Sequence, residues 1–124
     1  MEPALIMQTA TGLLAVSAAG GLIMAAIRFS GKPHPPTALA MLHGFLSAAA
    51  LTLLIYALCT VGLPRLAQLA LLFFLIAAAG GAFMNLNFHW KMLPLPKWLV
   101  LVHAGLAICG FVLLIVATWQ ISHV

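Results

Sequence analysis

The chain has 124 residues, 65% of them hydrophobic and 5% charged, with a mean hydropathy of +1.22. A soluble domain needs far more polar surface than this, so the composition excludes one and describes a protein whose solvent is lipid. The formal net charge of +4 comes from so few residues that their positions, considered below, explain it without a polyanionic partner.

A bilayer core about 30 Å thick is crossed by about 20 apolar residues in a helix. Four such stretches occur in order: Ala4–Phe29, Thr37–Gly62, Pro64–Phe88 and Lys97–Gln120. The first is longer than the apolar run of a signal peptide and is preceded by Glu2 and no Lys or Arg, so it is read as a structural helix. The joints are short and leave no room for a second domain. The expected fold is an all-α integral membrane protein, one four-transmembrane-helix bundle filling residues 1–124.

Sliding the chain by sixty residues uncovers an internal repeat. Ala18-Ala19-Gly20-Gly21 falls on Ala78-Ala79-Gly80-Gly81, Met24 on Met84, Pro36 on Pro96 and His43 on His103. Repeat 1 covers about 5–62 and repeat 2 about 64–122. Each is a helical hairpin, and both begin on the same side, so the repeats are parallel and related by a pseudo-two-fold axis along the membrane normal. Matched residues then lie at equal depth, and His43 and His103 face each other across the bundle. Counting outward from each hairpin loop places Met24 level with His43, and Met84 level with His103. Each histidine sits about six residues inside its helix, or about 9 Å below the boundary.

Arg28, Lys32, Lys91 and Lys97 cluster at the first and third connections, with only Glu2 and Arg65 at the opposite side. The positive-inside rule puts both basic loops in the cytoplasm and both termini in the periplasm of a bacterial inner membrane. Trp90, Trp98 and Trp119 fall near helix ends, where indoles prefer the interface. Cys59 and Cys109 are separated in depth by about ten residues, or about 15 Å, too far for an intrachain disulfide; both read as small apolar packing residues. His34 and His89 read as interface residues flanking the mouth of the bundle, and His123 as an exposed tail residue.

An imidazole inside hydrocarbon is costly without a partner, so a symmetric pair marks a site. Ser47 and Ala50 lie one and two turns beyond His43, Ala107 and Gly110 beyond His103, and glycines stand beside both. A flat, apolar b-type haem suits such a slot, taking one axial imidazole from each face. In that reading Arg28, Lys32, Lys91 and Lys97 neutralise the propionates, while Ser47, Gly110 and Asn85 line the pocket and Asn87 supplies a hydrogen bond.

These residues resemble the small four-helix membrane cytochromes b, the cytochrome b561-like group, which hold haem between helices through histidine pairs. The resemblance covers the architecture and the pair His43/His103, and implies a one-haem electron carrier exchanging electrons with quinone. Two-haem members use four intramembrane histidines, and this chain has two deep ones. Other readings stand beside it. A layer of Met24, Met84, His43 and His103 would suit Cu(I). A cofactor-free accessory subunit of a respiratory complex would show the same small residues for packing and a histidine for interhelical bonding. Small-solute transport would call for broken helices, and a haem shared across a homodimer is a further arrangement. There is no carboxylate inside the membrane segments, no phosphate-binding loop and no HExxH sequence, so those enzyme classes fall away.

Overall fold

The computed structural model describes residues 2–123. Its helices are α1 (Pro3–Phe29), α2 (Thr37–Thr60), α3 (Arg65–Met84) and α4 (Lys97–Ser122), with a π-helical turn over Asn85–His89 extending α3. All four spans are long and apolar enough to cross a membrane. In hydrocarbon a segment must satisfy its own backbone, and a helix does so within itself. Prolines mark the starts: Pro3 opens α1, and Pro36, Pro64 and Pro96 cap α2, α3 and α4. No interior proline interrupts a helix. The chain is an all-α integral membrane bundle.

The expected helix limits hold within a few residues at every end. The third stretch departs in kind: its last turn is π-helical over Asn85–His89 instead of continuing as α-helix. The equivalent residues sixty positions earlier, 25–29, lie in regular α-helix. Gly31 and Gly62 take positive φ angles of 108° and 82° at the turns after α1 and α2, where a side chain would strain the backbone.

Helices α1 and α2 pack closely as one hairpin and α3 and α4 as the other. The hairpins meet along α1–α4 and α2–α3. The largest cluster of buried apolar side chains lies in the half of the bundle nearer the termini: Ile6, Met7, Ala10 and Leu14 of α1 meet Ala50, Leu51, Leu54 and Ala57 of α2, with Ala67, Ala70, Leu71 and Phe74 of α3 and Leu114 and Ala117 of α4. Towards the loops the packing loosens. Gly20, Gly21, Met24, Leu39, His43, Leu46 and His103 are only partly covered. The bundle is packed more tightly toward the termini and more loosely where the repeat places its histidines.

Polar contacts tie both ends. On the terminal side, Gln8 Nε2 donates to Ser122 Oγ at 3.0 Å and the Thr11 and Thr118 hydroxyls meet at 3.1 Å, joining α1 to α4. On the loop side, the Leu95 N–H donates to the Pro33 carbonyl at 3.0 Å, and Arg28 Nε donates to the Leu95 carbonyl at 2.7 Å. The first and third connections are thereby clasped together.

Both cysteines are free and exposed on the outer surface. They do not pack inside the bundle as their small apolar character suggested. Trp90, Trp98 and Trp119 are among the most exposed large side chains, as lipid-facing interfacial indoles should be. His123 is exposed, with its ring stacked on Trp119 at a centroid distance of 4.0 Å.

Candidate functional site

His43 of α2 and His103 of α4 approach across the loosely packed half, with ring centroids 6.2 Å apart and planes at 71°. Each ring rests on a glycine of its own hairpin partner. A Cβ built on Gly21 would stand 3.1 Å from His43 Cε1, and one built on Gly81 would stand 3.1 Å from His103 Cε1. These glycines therefore set how deeply each imidazole sits.

The same correspondence holds for the hydrogen bonds. His43 Nδ1 lies 2.8 Å from the Ser17 carbonyl, and His103 Nδ1 lies 2.8 Å from the Ala77 carbonyl. Both separations are 26 residues, and the two contacts are related by the offset of sixty. A carbonyl oxygen only accepts, so in each ring Nδ1 carries the proton. In the neutral form of each ring, Nε2 then keeps its lone pair. Neither Nε2 has a hydrogen-bond partner among the described residues, and no fully enclosed side-chain nitrogen lacks one, so both reach open space. A neutral imidazole whose Nδ1–H is held by a carbonyl is the form that ligates a metal through Nε2.

The spacing bears on what fits between the rings. With a metal–imidazole bond of about 2.0–2.1 Å and a ring nitrogen about 1.1 Å from its ring centre, two imidazoles trans on one metal have centroids about 6.3 Å apart. The observed 6.2 Å matches that arrangement. It exceeds the spacing of about 5.1 Å for tetrahedral angles at the same bond length.

One half of the site carries extra hydroxyls. Ser17 is 1% exposed, and its Oγ lies 3.0 Å from His43 Nδ1, 2.6 Å from Ser47 Oγ, and donates to the His43 carbonyl at 3.1 Å. With the Ser17 proton on that carbonyl, Ser47 donates to Ser17, and the His43 Nδ1–H is shared between the Ser17 carbonyl and hydroxyl oxygens. Alanines occupy the equivalent positions 77 and 107, so His103 has no such hydroxyls. Sequence reasoning singled out Ser47 and missed Ser17. The available signal was its separation from His43, equal to that of Ala77 from His103.

The other expected site residues scatter. Gly110 is buried against α3, where an added Cβ would meet Phe74 Cε1 at 3.1 Å and the Ala70 carbonyl at 3.2 Å; it is a helix-crossing residue and does not line the histidine slot. Asn87 donates to the Phe83 carbonyl of its own helix at 3.0 Å, and the carbonyl of Asn85 accepts from the Trp90 N–H. Arg28 commits Nε to Leu95 and Nη1 to the Lys32 carbonyl at 3.3 Å, leaving Nη2 unengaged. Lys97 Nζ lies 5.4 Å from the centre of the Phe29 ring; Lys32 and Lys91 are exposed. Met84 is buried and Met24 partly so.

His34 and His89 come together at the loop side, with ring centroids 5.2 Å apart. Among the described residues no group of three or more His, Cys, Asp or Glu side chains gathers in one place, so any metal held here relies on histidine pairs.

Compared with protein-family models, curated proteins and solved structures, the chain matches none.

Proposed function

We propose that this protein is a one-haem membrane cytochrome b that transfers electrons within a bacterial inner membrane and exchanges them with quinone. The observation that carries the reading is the trans-compatible spacing of 6.2 Å between two imidazoles whose Nδ1 protons are both held by backbone carbonyls. Two imidazoles held through Nδ1 by backbone carbonyls, each with an Nε2 free of protein partners among the described residues, suit a centre ligated by two histidines. Bound there, the haem iron would supply a one-electron ferric–ferrous couple.

The chain's own contribution is positioning and electrostatics. Gly21 and Gly81 let the rings seat against the neighbouring helices. The Ser17 and Ala77 carbonyls fix the tautomers, and each raises the electron density on its imidazole, favouring the ferric state. Lys32, Lys91 and Lys97, with Nη2 of Arg28, supply positive charge on the loop side for the propionates. The same charges support a reading with both loops in the cytoplasm and both termini in the periplasm.

An absorption spectrum of the purified protein tests this directly. A Soret band with low-spin α and β bands on reduction is expected, and both His43→Ala and His103→Ala should lose the low-spin signature. Haem bound normally in both variants would overturn the ligand assignment. The same spacing also suits two-coordinate Cu(I), with Met24 and Met84 as soft neighbours; colourless protein carrying stoichiometric copper would select that centre.

A further inference from the structure

The loop side holds a second histidine pair that the repeat does not generate. The positions equivalent to His34, Thr37 and His89 are Pro94, Lys97 and Phe29. Phe29 is 44% exposed, whereas His89 is 4% exposed. The difference coincides with the π-helical turn Asn85–His89, which the first hairpin lacks. Such turns shift the register of the residues that follow and concentrate at functional sites. Here the shift accompanies a buried imidazole beside one from the opposite loop.

We propose that His34 and His89 bind a divalent transition ion of the zinc class at tetrahedral angles, completed by water. Three observations converge on this site. The ring centroids are 5.2 Å apart, close to the about 5.1 Å expected for two imidazoles at tetrahedral angles on one metal. One nitrogen of each ring already has a partner of the kind that orients ligating histidines. His34 Nδ1 lies 3.4 Å from the Pro35 carbonyl, and His89 Nε2 lies 3.2 Å from Thr37 Oγ1. That leaves His34 Nε2 and His89 Nδ1 as the donors. Finally, the frame is stiff: His34 stands within Pro33-His34-Pro35-Pro36, whose proline φ angles are fixed, and the Leu95 N–H pins the Pro33 carbonyl at 3.0 Å.

The chemistry selects the class of ion. Imidazole suits zinc, copper and nickel, while hard ions such as magnesium and calcium favour carboxylate oxygens, and the chain's one carboxylate side chain, Glu2, is at the opposite end of α1. Lys32 and Lys91 flank the pair in sequence and repel any cation, so the bond to nitrogen carries the affinity. Zinc binding here should strengthen as inert salt screens these charges, opposite to a carboxylate site.

The test uses tag-free protein in detergent, stripped with chelator and titrated with zinc chloride in a calorimeter. About one equivalent is expected in wild type and in the His43→Ala/His103→Ala double variant. His34→Gln and His89→Phe should each weaken it at least tenfold, and Thr37→Ala should weaken it several-fold. Helical circular dichroism monitors folding of the variants; His34→Gln, in a loop, keeps the test informative where His89→Phe does not fold. Cobalt(II) loaded in place of zinc should show the intense visible bands of tetrahedral coordination. No zinc uptake by wild type, uptake unchanged in His34→Gln, loss only in the His43/His103 double variant, or a weak octahedral cobalt spectrum would each overturn the proposal.

Discussion

The hydroxyls of Ser17 and Ser47 meet at 2.6 Å in the one layer where the chain's two halves differ in polarity around matched histidines. Ser17→Ala removes the acceptor of Ser47 and one of the two acceptors facing His43 Nδ1, while the carbonyl bond persists. The expected cost is about 1–2 kcal/mol of stability for a buried hydrogen-bonding group, read as a lower midpoint in detergent-induced unfolding. In the haem-loaded protein the reduction potential should also rise, because the imidazole loses an acceptor and becomes a poorer donor. Ala77→Ser, which adds a hydroxyl near His103, should move the potential the other way. Equal potentials in all three proteins would refute an electronic role for Ser17.

Gly21→Ala and Gly81→Ala each place a methyl group 3.1 Å from a histidine Cε1. Because each ring is also held by a carbonyl, it cannot retreat without breaking that bond. Both substitutions should reduce haem content per protein by roughly three- to tenfold, consistent with about 1 kcal/mol of strain. Gly12→Ala is the control, since nothing lies within 4 Å of its new Cβ. Normal haem content in both ring-contacting variants would show that the glycines do not seat the imidazoles.

Gly110→Ala addresses the tightly packed half. Its Cβ would press on the Phe74 ring and the Ala70 carbonyl, and backbone does not yield as a flexible side chain does. A loss of about 1–3 kcal/mol is expected from overpacking, measured by unfolding, with the histidine spectrum unchanged in the surviving folded protein. Gly105→Ala, with open space around it, should cost nothing measurable.

Arg28→Lys keeps the charge but removes the guanidinium that reaches the Leu95 and Lys32 carbonyls. The clasp between the loops should weaken by about 1–2 kcal/mol, seen as faster hydrogen exchange at residues 31–36 and 91–96. Unchanged exchange would show that the bond between Leu95 and Pro33 suffices to hold the loops.

The crossed ring planes, at 71°, give a spectroscopic prediction. A haem held by His43 and His103 with their rings crossed as here would have two nearly degenerate iron dπ orbitals, and its ferric form would show a strongly anisotropic low-spin electron paramagnetic resonance signal. A conventional rhombic spectrum would mean that the rings rotate towards parallel on binding.

Much of the architecture was legible because lipid simplifies it. Runs of about 20 apolar residues have few alternatives to spanning helices, and proline caps punctuate them. The offset of sixty led to His43 and His103, whose rings are close in space. What sequence did not reveal depended on which way a side chain turns. Ser17 looked like one small residue among alanines. Gly110 sits on the same helix as His103, yet it serves a crossing with α3. Arg28 reaches carbonyls of two loops, a contact no spacing rule encodes. The π-helical turn at Asn85–His89 was invisible too, since one extra residue per turn leaves no compositional trace. It brought His89 to His34, which the repeat alone would have left apart.

The packed terminal half acts as an insulating plug. The side chains of Leu14, Leu54, Phe74 and Leu114 offer a water or a proton no hydrogen-bond partner between the terminal side and the imidazoles.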